Sequence, residues 1–186
     1  MTVSILLYTK ATGHVLGAAS LAAPPSSDVK PEALAGDFLP VRHNGDPTEN
    51  VLGEPAVTVP ASELAVLSVD AATVTIATAR MTFVDLATKT PKPLNVSTPT
   101  LTLTNSTLTV SFLPVSTAKT TIWARIGPIN SGSTAVQPQT VSVEVTPPSI
   151  TNTSSQLTLT PLPSGEEYGV LALVPGLIPA LQKFPL

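Results

Sequence analysis

Apolar residues recur at every second position along several short stretches of this chain, which is the period of a half-buried β-strand. The clearest case is Leu101, Leu103, then Leu108, Val110 and Phe112, alternating with Thr102, Thr104, Thr107, Thr109 and Ser111, with Asn105-Ser106 at the junction. Threonine suits the outward positions because its stiff β-branched side chain packs along the pleat while its hydroxyl stays in water. Further strands are predicted at 120–126, 140–145, 156–161 and 168–174. Several short strands punctuated by Pro, Gly and Asn make a mainly β chain, with a sandwich or barrel over its second half.

The first half is less regular. Residues 3–9 and 14–19 read as a hairpin whose turn, Lys10-Ala-Thr-Gly13, ends on the glycine that supplies a positive φ. Residues 22–60 are rich in turn formers, among them Pro24-Pro25, Asn44-Gly45 and Asp46-Pro47, so an extended Pro-rich arm is expected there. An arm of that length packs on a neighbouring subunit or covers a sheet edge. Residues 63–69 and 73–79 read as a second hairpin across Asp70-Ala71-Ala72, with 81–86 extending it. A competing reading has Ser62 capping a helix through Val69, since Ala, Glu and Leu are good helix formers. Residues 88–93 read as a linker, dividing the chain into a hairpin-and-arm module, 1–92, and a β-sandwich, 93–186.

Composition narrows the function classes. Of 186 residues 42% are hydrophobic and only 11% charged, enough apolar surface to offset the entropy lost on folding and too few charges to keep subunits apart. The net charge of −3 is scattered without basic runs, so a nucleic-acid partner is not expected. Cysteine is absent, which removes disulfides, thiolate nucleophiles and Cys-based metal centres. The first ten residues lack a basic leader region, and the apolar stretch 169–181 is broken by Pro175, Gly176 and Pro179, so neither a cleaved leader nor membrane insertion is expected. The sequence leaves the location open, with a cytoplasmically made protein that joins a virion or exported particle as one reading.

From Pro93 to Val174 the sequence resembles a fibronectin type III domain, an immunoglobulin-like sandwich. Pro93-Leu-Asn-Val96 and Asn105-Ser-Thr-Leu-Thr-Val-Ser-Phe112-Leu-Pro114 are similar to the family's first two strands, with Phe112 where a core tryptophan is usual. Leu162, Gly165 and Tyr168 match the spacing of the family's corner, in which the tyrosine hydroxyl returns to the backbone. The resemblance implies that Phe112, Trp123, Leu162 and Tyr168 belong to the sandwich core. Pro163-Ser164 departs from the family pattern, and the Pro-interrupted segment after Pro175 is expected to leave the sandwich and dock elsewhere. The resemblance implies no activity, and the chain has no Arg-Gly-Asp tripeptide to suggest integrin adhesion.

Candidate chemistry is sparse. The only histidines are His14, read as a surface or half-buried residue at a strand start, and His43, which with Asp46 and Glu49 offers metal donors but is read as part of a polar turn on Asn44-Gly45 that explains the same residues without a metal. Glu166 and Glu167 are adjacent and read as solvated turn charges rather than a facing acid pair. Sequons stand at Asn95, Asn105 and Asn152, and Trp123 reads as core, with stacking on a glycan as the alternative. No catalytic residue, metal or cofactor is expected. The apolar tail, with Leu177, Ile178, Leu181 and Phe184, is either the final strand of the sandwich or an insert into a partner subunit. The expected function is a non-enzymatic structural subunit that self-associates or joins sister subunits of a phage-like particle, injection apparatus or surface appendage. The alternative is a surface binding module for glycan or protein.

Overall fold

Residues Val3–Thr9 form strand β1, buried along its whole length on both faces, and it organises the first unit. The computed structural model describes residues 2–25, 28–41, 57–129 and 137–185, and these fall into two compact units, 1–39 with 59–96 and 40–58 with 97–186. Strand β2 (Val15–Leu21) returns antiparallel beside β1, with a bulge where Leu7 pairs Gly17 and Tyr8 pairs Val15. The hairpin turn is the one the sequence predicts. Gly13 sits at φ +76°, its N–H donates to Thr9 O at 2.8 Å, and its carbonyl accepts the Val84 N–H at 2.7 Å.

The arm contains three short elements within its described part: α1 (Pro31–Ala35), started by proline and ended at Gly36, and β3 (Phe38–Val41), which pairs with β4 (Val57–Pro60). The Asn44-Gly45 and Asp46-Pro47 turns lie outside the described residues. Strand β5 (Leu64–Asp70) follows as predicted, and the helix capped by Ser62 does not form beyond a 3₁₀ turn at Ala61–Glu63. The partner of β5, however, is β1, from Val3 opposite Asp70 to Thr9 opposite Leu64. The hairpin with 73–79 is therefore corrected. Asp70 turns the chain through Ala72 N–H to Oδ1 (2.9 Å), and Thr75 with Thr78 forms a capping box that starts α2 (Ile76–Ala79). Val74 is buried while Ile76 is 54% exposed, so the alternation that suggested a strand does not mark one face.

Residues 88–93 are likewise not a linker. Strands β6 (Thr82–Asp85) and β7 (Thr90–Pro93) form a hairpin, with Lys89 at φ +54° in its turn and the prolines on a strand with one partner. Leu6, Tyr8 and Val15 of the three-stranded sheet, in order β2-β1-β5, pack with Val74, Ala79 and Val84 into the first core.

From residue 97 onward the described residues of the second unit form seven strands: β8 (Thr100–Thr104), β9 (Thr107–Phe112), β10 (Thr120–Pro128), β11 (Gln139–Val145), β12 (Thr153–Thr158), β13 (Glu167–Leu173) and β14 (Ala180–Pro185). They form one sheet in order β12-β9-β8 and another in order β11-β10-β13-β14. Leu101, Leu103, Leu108, Val110, Phe112 and Leu157 of the first share one core with Ile122, Ala124, Ile126, Val170 and Ala172 of the second. Asn105 turns the β8–β9 hairpin at φ +51°, a conformation asparagine tolerates better than most residues.

The segment after Pro175 does not leave this unit. Gly176 turns at φ +81°, Leu177 N–H donates to Val174 O, Ile178 N–H donates to Ser97 O, and β14 then pairs β13 from Ala180 opposite Ala172 to Pro185 opposite Glu167. Leu177 is 1% exposed, and Phe184 packs against the same core. Apolar side chains and an open strand edge are both satisfied within the chain, which is why the tail stays.

Gly13 is the position where substitution should cost most for its size. A Cβ there would lie 2.0 Å from the Val84 carbonyl oxygen, in addition to the left-handed strain. Gly13→Ala is expected to destabilise the first unit by more than about 2 kcal/mol, whereas Gly36→Ala, at φ +62° with nothing within 4 Å, should cost about 1 kcal/mol. Hydrogen exchange of the β1 amides reads the difference.

Candidate functional site

Of the residues expected in the sandwich core, Phe112 and Tyr168 are buried and Leu162 packs against the core from its margin. Tyr168 donates its hydroxyl to Pro163 O at 2.9 Å, across a turn in which Gly165 takes φ +82°. Burial raises the phenol pKa, with the charge of Glu166 adding to the effect, so the group stays a neutral donor. Trp123 is also buried, at 2% exposure, but it is not part of that core. Ile122, Ala124 and Ile126 point into the core, so Trp123 and Arg125 occupy the opposite face of β10. Arg125 donates from Nε to Thr58 O at 2.8 Å and from a terminal nitrogen to Thr140 Oγ1 at 2.6 Å. Trp123 as part of the sandwich core is thereby corrected to a buried residue on the opposite face of β10, with little ring surface left for a sugar.

His14 is not a surface residue. It is fully buried, with Nδ1 2.8 Å from Thr12 Oγ1, which is 2.7 Å from Thr9 Oγ1. This chain of hydroxyls and imidazole lies behind the Gly13 turn and fixes the hairpin end, since a buried polar group must find partners. His43, Asp46 and Glu49 lie outside the described residues, and no cluster of metal-donor side chains occurs among the described ones. Glu167 pairs with Lys183 at 2.6 Å, while Glu166 acts on Tyr168, so the two acids project to different neighbours. The sequon residues Asn95, Asn105 and Asn152 are all exposed.

Leu181 and Ile178 are half-buried, Phe184 lies against its own core and Leu177 is enclosed, so the tail offers little free apolar surface. The exposed apolar surface of this unit is elsewhere. Phe112 opposite Thr153, Thr120 opposite Val145 and Ala172 opposite Ala180 bring the connections 113–119, 146–152 and 174–179 to one end of the sheets. Leu113, Val115 and Ile150 stand there at 49%, 50% and 63% exposure, and the Val115 side chain lies against Gly176. Sequence reading missed these three. The available signal was an apolar residue beside proline in loops between strongly alternating strands, as in Leu113-Pro114-Val115.

A second polar feature is the β6–β7 turn. Asp85 accepts the N–H groups of Ala87 (3.0 Å) and Thr88 (3.2 Å) and pairs with Lys92. These contacts, Lys92 foremost, lower its pKa from 3.8 to about 2. A depressed carboxyl stabilises the hairpin above its unfolded value and loses that contribution as pH falls through about 2. The carboxyl carbon should therefore titrate near pH 2 by NMR, and in Lys92→Met its midpoint should move up toward 3.8. Tyr168→Phe should lower the stability of the second unit by about 1 kcal/mol, read by denaturant unfolding, as one hydrogen bond is lost without a change in packing. No family model, curated protein or solved structure matches the chain, so its surface is read from its own residues.

Proposed function

We propose that this chain is a non-enzymatic structural subunit of a large multi-subunit assembly, with a fibronectin type III-like sandwich as its scaffold. The observation that carries this reading is the strand arrangement among the described residues of 97–186: seven strands, three in one sheet and four in the other, around one core with a tyrosine-pinned corner. A scaffold of this kind presents loops and sheet edges rather than a cleft. The chain around it carries few charges, and one end displays Leu113, Val115 and Ile150 to solvent. A phage-like particle, an injection apparatus or a surface appendage is the class of assembly that such a subunit suits.

The tail is occupied within its own sheet, so the contacts are assigned to that apolar end and to the arm. The same end supports the second reading, a surface binding module. With Trp123 enclosed, protein rather than glycan is the partner that reading favours.

Purification under native conditions, followed by light scattering and electron microscopy, tests the leading proposal. Ordered particles or concentration-dependent oligomers are expected, and Leu113→Asp combined with Ile150→Asp should disperse them without unfolding the chain. A monodisperse monomer at high concentration would overturn it.

A further inference from the structure

Strand β6 meets the start of β2 through a bridge between His14 and Phe83, next to the Val84 N–H to Gly13 O bond. Beyond that point β2 is an edge strand, since its sheet runs β2-β1-β5, and α2 lies alongside it. The result is a seam that is closed at one end and open along the strand. Val15, Leu16, Gly17 and Ala18 line one side of it, and Ile76, Ala79 and Arg80 line the other, around a groove of about 180 Å³.

Three properties of the seam point to the same ligand. First, beyond the His14 bridge β2 has no strand partner on its outer edge among the described residues, and it reads Val-Leu-Gly-Ala-Ala-Ser-Leu, with neither a charged residue nor a proline, two of the devices that stop strand addition. Gly17, Ala18 and Ala19 are half-buried and small, so they put little side-chain bulk in the way of a strand laid beside them. Second, the groove is smaller than the roughly 300–1,000 Å³ of small-molecule pockets, so it takes one apolar side chain of an extended peptide rather than a whole ligand. Ala79 and Val15 are buried at its floor, and Ile76 stands 54% exposed at its lip. Third, Arg80 is the only charged residue of the lining, is exposed, and has no ion pair or side-chain hydrogen bond among the described residues. A guanidinium in that position recognises a carboxylate through paired hydrogen bonds.

We infer that the seam between β2 and α2 is a docking site for an extended segment of a partner protein, added as a strand to β2. The segment places an apolar side chain over Ala79 and a neighbouring Asp or Glu side chain on Arg80. Main-chain pairing supplies affinity in such a mode, and the alternating side chains supply specificity. This goes beyond the subunit reading and does not rest on it, because the groove belongs to the first unit alone.

The test uses the full chain and a blocked nine-residue peptide of alternating valine and threonine with a central aspartate, together with its asparagine counterpart. Saturable amide shifts confined to Val15–Leu21, Ile76, Ala79 and Arg80 are expected for the aspartate peptide. Arg80→Gln should weaken that peptide about tenfold, the scale of one charge-assisted hydrogen bond, and leave the asparagine peptide unchanged. Ile76→Glu, a change at an exposed position, should abolish binding of the aspartate peptide with the fold intact. No saturable shift at millimolar peptide, equal affinity for the two peptides, or shifts mapping elsewhere would each overturn the inference. A concentration-dependent dimer through β2, dispersed by Ile76→Glu, would place a second copy there instead and overturn it as well. Peptide binding by a chain that never assembles would support the seam while sinking the subunit reading.

Discussion

Strict alternation of leucine or valine with threonine is the constraint on which the second unit depends. On β8 and β9 a slip of one residue would carry Leu101, Leu103, Leu108 and Val110 to the solvent face and bury threonine hydroxyls in their place. Register is therefore set by burial before any specific contact is made. The same alternation gives the outer face its character: Thr100 opposite Ser111, Thr102 opposite Thr109 and Thr104 opposite Thr107, continued on β12 by Ser154, Gln156 and Thr158. A chain with few charges keeps this face in water through hydroxyls, and Ser111 and Ser154 hydrogen-bond across the strands at 2.6 Å.

The first unit is held by a different device, a joint between two hairpins. Gly13 turns β1 into β2 and at the same time presents its carbonyl to Val84, so the second hairpin, β6–β7, is attached where the first one turns. Only a residue without a Cβ fits so close to the Val84 carbonyl. Behind the joint, Thr9, Thr12 and His14 satisfy one another's polar atoms, so a buried imidazole serves the turn. Beyond the joint β6 and β2 part, and the space between them becomes the seam beside α2. Position and shape of the candidate docking site thus follow from one close backbone approach.

How much of this was legible in the sequence depended on whether the information was local. Alternation marked the strands of the second unit and Gly13 marked its turn, because each signal lies within a few residues of the structure it specifies, while the corner at Leu162, Gly165 and Tyr168 was implied by a family resemblance. Strand pairing is not local in that sense. β5 was readable as a strand, yet its choice of β1 over residues 73–79 depended on β1 being apolar on both faces and needing a second partner. The capping box at Thr75 has Thr78 where the usual sequence motif carries Glu or Gln, and alternation of Val74 and Ile76 suggested a strand over the same residues.

The candidate sites were the least legible. Arg80, Ile76 and Ala79 come together with Val15 and Ala18 only because α2 is folded against an edge strand some sixty residues earlier in the chain. In the same way, an apolar tail that the sequence left between a final strand and a partner insert became the paired edge strand β14 because β13 offered it an open edge. The sequence by itself determined a mainly β chain, the period and facing of its best strands, and the Gly13 turn, since these follow from backbone sterics and side-chain periodicity. Tertiary structure alone decided which strands are neighbours, which apolar residues remain exposed and where an edge is left open, because each of those depends on surfaces contributed by residues far apart in the chain.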